Sequence, residues 1–281
     1  MRKITKDEYR ELALATVVKA NELVTKTTFS LSAVQQKIVL FLISKILPSD
    51  DRFIEQTFTI TEFCRACGID NIGSKTYDIV WDALDKLEAA EIKYRGDNKI
   101  PLEDGSRTKL KWILKHKDNP SKGTVTVMLD PDLMPFLLHL KSHFLSYELL
   151  WALSFRSRFS IRLYEYAKAR HYNTLQPYTF EITPDALKDR MGADAPTYRH
   201  FKNFRQRALE PAVKEINAKS DIIITYEQIT ERNRTKALKM TVESKPMMES
   251  LELRAKLESA YAVNQLSFFD PPAPPAGDPQ P

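Results

Sequence analysis

One order of elements occurs twice along this chain, and it limits the folds open to it more than any other feature. FTIT (58–61) and FEIT (180–183) each read as a short strand. Each is followed by a short helical segment that stops at a glycine, Gly68 or Gly192. A longer helical segment then begins near Tyr77 or Tyr198, carries an Ala-Leu pair at 83–84 or 208–209, and closes on Glu91-Ile92 or Glu215-Ile216. Two extended segments come last: 108–117 and 123–130 across DNPSK, and 221–229 and 236–243 across TERNRT. Strand, helix, turn, helix, hairpin is the order of a winged helix-turn-helix. Its repetition predicts an α+β chain of two tandem winged helix-turn-helix domains with β-hairpin wings. The expected divisions are an N-terminal domain over 1–140, a C-terminal domain over 141–245 and a flexible tail over 246–281 that ends in DPPAPPAGDPQP.

Outside the recurrence, residues 6–20, 32–47 and 156–170 read as helices. Ser32, with Gln35 three residues on, forms a capping box for the second of these. Over 74–92 the apolar face consists of Tyr77, Val80, Trp81, Leu84 and Leu87. TPDALKDRM (183–191) has Pro184 in its first turn.

Composition excludes several classes of function. The longest apolar run, IVLFLISKIL (38–47), is too short to cross a bilayer and contains Lys45. The first residues lack the apolar core of a signal peptide, and Cys64 and Cys67 are the only cysteines. A cytoplasmic, reducing location without membrane contact is the expectation. Cys64 and Cys67 have no second ligand pair, and His139 and His143 lack the glutamate of a zinc-protease helix, so no metal is expected. Only seven glycines are present and none builds a phosphate-binding loop, so ATP hydrolysis is not expected, and no cofactor is. Eleven tyrosines leave a strand-nicking nucleophile open by count, but the histidine metal cluster of such nickases is missing. The chain reads as a binding protein rather than an enzyme. Its formal charge of +5 permits an acidic partner, and the distribution of that charge points to one.

TYRHFKNFRQRALEPAVKEIN (197–217) shows this distribution. At 100° per residue, Phe201, Phe204, Ala208, Ala212 and Ile216 form one stripe that must face a core. Arg199, Lys202, Asn203, Gln206 and Arg207 lie on the far side, in the N-terminal half. Arg pairs with guanine O6 and N7, Asn and Gln pair with adenine N6 and N7, and Lys contacts phosphate or guanine, so this face has base-reading chemistry. Pro211 follows that half, so a kink there is expected to spare the reading surface. Arg205 falls on the apolar side and must bend away or pair with an acid. The simpler alternative, a solvated amphipathic helix, is weighed by comparing the copies. Residues 197–219 hold six bases and two acids, a net of +4, whereas 74–95 hold four bases and five acids, a net of −1. Phosphates therefore favour the second copy. Its wing adds Arg232, Arg234 and Lys236 for backbone contacts. The first copy is expected to position or dimerise the protein, or to grip backbone with Lys75, Arg107, Lys109 and Lys111. Helix 156–170 carries Arg156, Arg158, Arg162, Lys168 and Arg170, either as a further backbone contact through Arg158 or as a solvated face beside Ile161, Leu163 and Tyr164.

VVKANELV (17–24), LSAVQQKIVLFLISKI (31–46), SFRSRFSIRLYEYAK (154–168) and YRHFKNFRQRALEPAVKEIN (198–217) resemble the iteron-binding plasmid replication initiators of the Rep_3 family. The resemblance implies a bacterial protein with two winged-helix domains, whose monomers bind direct repeats, or iterons, in double-stranded plasmid origin DNA. It implies a homodimer, joined chiefly through the first domain and in equilibrium with the monomer, that represses the protein's own gene and so contributes to copy control. The second domain is expected to do most base reading, and the partners to include the host replication initiator and the replicative helicase. In the tail, Gln265, Leu266, Ser267, Phe268 and Phe269 resemble the bacterial sliding-clamp-binding pentapeptide, with Phe268 where leucine is common. A winged-helix repressor without initiator activity, and an origin-nicking enzyme, are the competing readings.

Overall fold

The protein is described by a computed structural model over residues 15–47, 49–67, 69, 72–94, 100–101, 107–171, 176–232 and 234–263, with backbone alone at 100–101, 107 and 260–263. From the N-terminal side the chain runs β1 (Thr16–Ala20), α1 (Asn21–Thr25), β2 (Thr27–Thr28), α2 (Ala33–Ile43), β3 (Gln56–Thr59), α3 (Ile60–Ala66) and α4 (Ser74–Ala89). Next come β4 (Glu91–Tyr94), β5 (Ile100–Pro101), β6 (Arg107–Thr108), β7 (Leu110–Lys111), β8 (Ile113–Asn119) and β9 (Thr124–Leu129). A 3-10 turn (Pro131–Leu133) leads to α5 (Met134–Leu137), β10 (Phe144–Glu148), α6 (Leu149–Ser154) and α7 (Arg158–Arg170). Then follow β11 (Tyr178–Ile182), α8 (Pro184–Met191), a 3-10 turn (Pro196–Tyr198), α9 (Phe201–Phe204), a π turn (Arg205–Leu209) and α10 (Glu210–Lys219). The hairpin β12 (Ile222–Glu231) and β13 (Arg234–Ser244) precedes α11 (Met247–Val263).

The two copies share one sheet topology. β3 pairs with the second strand of its hairpin in the order β3-β9-β8, and β11 does the same in the order β11-β13-β12. Equivalent residues even make the same contacts: Phe58 lies opposite Val125 and Phe180 opposite Met240, all buried. One residue earlier, Thr57 and Thr126 bring hydroxyls within 2.8 Å, and Thr179 and Thr241 within 2.9 Å. Helix starts slide against this match. Thr59 caps α3 through Glu62 N, whereas Thr183 caps α8 through Ala186 N, so the first short helix begins two residues earlier relative to its phenylalanine. Gly192 ends α8 in the left-handed region, φ +65°, as its position predicts. Ser32 and Gln35 form the expected capping box.

Besides the helix read over 32–47, which ends at Ile43, three local readings change. Residues 16–20, read as part of a helix over 6–20, form β1, which pairs antiparallel with β10. The β-branched pair Val17-Val18 suits a strand, and alternation buries Val17 and Lys19. The helix read over 74–92 stops at Ala89, and Glu91-Ile92 begin β4. On α4 the fully covered residues are Thr76, Val80, Ala83, Leu84 and Leu87, with Tyr77 and Trp81 half-buried. α7 is the third: it is no solvated face. It contacts α1, α2, β10, α8 and α10, and buries everything from Phe159 to Ala167. Within the expected tail, α11 packs on α6, with Leu257 buried and Arg254 Nη1 3.0 Å from the Glu148 carboxylate.

A core penetrated from both sides by α7 must satisfy the charges α7 carries. Lys19 of β1 pairs with Glu165, both 2% exposed, and the Tyr147 hydroxyl donates to the same carboxylate. Arg162, also 2% exposed, donates to Arg190 O (2.9 Å) and Thr27 O (3.3 Å), with its guanidinium 3.9 Å from the Phe29 ring centroid. Burial, only partly offset by Glu165, lowers the Arg162 pKa to about 10. Cys64 and Cys67 lie in the first core, where burial pushes the Cys67 thiol up to about 12 and that of Cys64 upward as well.

Candidate nucleic-acid interface

The segment that follows α8 is oriented by its apolar stripe. Phe204, Ala208, Ala212 and Ile216 are each at most 1% exposed, and Leu209 joins them. Tyr198 meets the Phe159 ring edge-on at 5.4 Å, which anchors the start of the segment on α7. The opposite side is thereby turned outward: Arg199, Lys202, Gln206 and Arg207 are exposed and Asn203 is half-buried.

Regular helix does not carry all five. His200 is extended (ψ 129°), so the helix starts at Phe201 and Arg199 sits in the bend before it. Arg199 is held there by its carbonyl, which accepts from Lys188 Nζ at 2.9 Å; Lys188 also pairs with Asp185 at 3.0 Å. Pro211 has no N–H to give the Arg207 carbonyl four residues earlier. The preceding turn widens accordingly, and Glu210 N bonds to Arg205 O, five residues back. The expectation that Pro211 spares the reading half is therefore corrected: Gln206 and Arg207 lie inside the π turn it accompanies. Arg205 resolves as an ion pair, its Nε 3.3 Å from Glu210.

The wing is the β12–β13 hairpin, and Arg232, Arg234 and Lys236 are exposed at its tip. Arg232 has φ +48°, an uncommon state for a side-chain-bearing residue, and Lys236 lies 3.1 Å from Glu231. In the first domain, Lys75 is exposed on the first turn of α4, while Lys109 is paired with Glu91 at 2.5 Å. The Arg107 side chain lies outside the described residues, as does the pentapeptide 265–269. Exposed Asp78, Asp82 and Asp85 give the outer face of α4 the opposite sign from the second domain's segment. Arg158 donates to Ser30 Oγ at 2.9 Å and stacks on Phe159 at 4.7 Å. Sequence reasoning missed Lys188, Glu215 and Lys219 as supports of the segment. Lys188 and Lys219 donate to the Arg199 and Ser154 carbonyls and Glu215 accepts from the Arg156 and Ser157 amides, backbone partners that side-chain spacing does not signal.

The family profile described as Initiator Replication protein, WH1, matches residues 16–168, more than half of the chain. That described as Initiator Rep protein, WH2, matches residues 183–242. Among solved structures, the Pi initiator protein in complex with iteron DNA is similar at a TM-score of 0.64 and 18% identity, over 83% of this chain and 98% of that one. The likeness is one of fold: two tandem winged-helix domains. Among the described residues, no helix is long and apolar enough to cross a membrane.

Proposed function

The chain belongs to the initiator replication protein family, and from that premise we propose that it binds direct repeats in double-stranded plasmid origin DNA to start replication. The observation that carries this is the second domain's exposed row of Arg199, Lys202, Gln206 and Arg207, fixed opposite a fully buried stripe and flanked by a wing with three cations at its tip. Such a segment enters a major groove with Arg199, Lys202, Asn203, Gln206 and Arg207 toward base edges, while Arg232, Arg234 and Lys236 take phosphates. Lys75, with Arg107, Lys109 and Lys111, supplies further backbone contacts. The role is binding, with strain on the origin and recruitment of the host initiator and helicase as its outcome. A dimer of the same chain would repress its gene, and the tail's Leu266, Phe268 and Phe269 would dock on a sliding clamp.

A gel-shift titration on the protein's own origin at two salt concentrations tests this. Wild type should give a ladder of complexes on direct repeats. Arg199→Ala should lose about 1–3 kcal/mol and relax base preference, while Arg234→Ala weakens all DNA alike and flattens the salt dependence. One complex on an inverted repeat alone would assign the chain to the repressors instead. For the tail, Phe268→Ala/Phe269→Ala should abolish retention of purified clamp, and equal retention would end that part of the reading.

A further inference from the structure

The elbow between α6 and α7, residues 153–157, exposes carbonyls at one helix end and N–H groups at the start of the next. Side chains from both domains meet them. Lys37, on α2, donates to Leu153 O at 2.6 Å, and Lys219, on α10, donates to Ser154 O at 3.1 Å. The Glu215 carboxylate, also on α10, accepts from Arg156 N at 2.8 Å and Ser157 N at 3.2 Å. Glu215 and Lys219, four residues apart, pair with each other at 2.9 Å. Lys219 thus places a cation at a helix C-terminus and Glu215 an anion at a helix N-terminus, each where the helix dipole favours it. Burial alone would raise the Glu215 carboxyl; the charge of Lys219 and the hydrogen bonds it accepts reverse that and hold it below the usual carboxylate range.

These two residues do not belong to the outward row. Their side chains are 14% and 25% exposed. α10 already packs on α7, with Ala212 and Ile216 of its apolar stripe fully buried. What Glu215 and Lys219 add is directional: they tie the base-reading segment to an elbow whose other side is held by α2 of the first domain. We propose that Glu215 and Lys219 are positioning residues that lock the second domain's DNA-facing segment to the α6–α7 elbow and so set the distance and angle between the DNA-facing surfaces of the two domains. The consequence for DNA rests on the origin-binding function proposed above; the locking itself does not.

Two measurements separate these. Spin labels at Lys86→Cys and Lys239→Cys, exposed sites on either domain, report the interdomain distance in the protein without DNA. The parent should give one narrow distribution, Glu215→Ala a distribution at least twice as broad, and Glu215→Gln, which keeps an acceptor but not the charge, an intermediate one. An unchanged distribution in folded Glu215→Ala overturns the proposal. If Glu215→Ala does not fold, Lys219→Met takes its place: broadening supports the lock and an unchanged distribution overturns it. On repeat DNA, Glu215→Ala should weaken binding about tenfold while preserving the rank order among base-substituted repeats, unlike Arg199→Ala. Equal affinity would refute the effect on DNA. A parent chain that binds no repeat DNA would refute the proposed function and leave the distance experiment to decide the lock.

Discussion

Gly192 offers the sharpest test of how the domains meet. It ends α8 at φ +65°, and a Cβ built on it would lie 2.5 Å from the backbone oxygen of Phe29, in the first domain. Two penalties follow for Gly192→Ala. A side chain in the left-handed region costs about 1–2 kcal/mol. The clash adds about 1–3 kcal/mol, the range for overpacking, because the obstacle is backbone and not a side chain that swings aside. The Phe29 oxygen would have to retreat, and Phe29 is not free to do so: its ring meets Trp112 at 5.0 Å and lies under the Arg162 guanidinium at 3.9 Å. The total of about 2–5 kcal/mol, at about 2–4 °C per kcal/mol for a chain of this size, predicts a melting temperature lowered by about 4–20 °C in calorimetry. Gly73→Ala is the control. Nothing lies within 4 Å of its added Cβ, and its φ is −98°, so it should shift the melt by less than about 3 °C. A Gly192→Ala melt as close to wild type as that of Gly73→Ala would refute the close approach of Phe29 to Gly192.

Other expectations follow from the buried charges and the wing. Glu165→Gln leaves the Lys19 ammonium buried without its carboxylate and should cost about 3–5 kcal/mol in urea unfolding, whereas Lys19→Met/Glu165→Gln should recover most of that loss. Lys37 is fully buried, and desolvation lowers its pKa from 10.5 to about 7. The unfolded chain therefore binds more protons than the folded one between about pH 7 and 10.5, and this group's contribution to stability rises with pH there by up to about 1.4 kcal/mol per unit. The difference in unfolding free energy between wild type and Lys37→Met should be flat below pH 6 and slope across that window; a flat difference throughout would contradict the burial of the amine. Arg232→Gly removes a side chain from φ +48°, so it should raise stability by up to about 1 kcal/mol while lowering affinity for all DNA sequences alike.

The tandem topology is legible because each copy announces itself through short-range signals: a threonine-capped helix start after its strand and a polar hairpin turn, with Gly192 in a left-handed turn in the second copy, while Gly68 lies outside the described residues. Those signals depend on neighbours a few residues apart. β1 is not legible in this way, because its partner, β10, lies more than a hundred residues away, and only that pairing decides between helix and strand for TVVKA. The burial of Arg162 escapes the sequence for the same physical reason. A basic residue on a helix is solvated unless a second layer covers it, and the layer here comes from α1 and β2 on one side and α8 on the other.

The reading segment shows where a helical wheel stops being a reliable guide. The wheel identifies most of the buried stripe, since Phe204, Ala208, Ala212 and Ile216 are all covered, while Phe201 at its start is half-buried against the same core. It misplaces the disturbance from Pro211. A proline withholds its donor from the carbonyl four residues before it, so the defect it causes lies toward the N-terminus, within the residues expected to face DNA. In this chain the widened turn takes in Gln206 and Arg207, while Lys202 and Asn203 stay on regular helix and Arg199 stands in the bend ahead of it. The five candidate base contacts thus come from three backbone conformations. Their convergence on one surface is the work of the stripe behind them and of Lys188, Glu215 and Lys219, whose targets are carbonyl and amide groups. Backbone groups carry no letter in a sequence, which is why the outward row can be named from composition and spacing while the supports that aim it cannot.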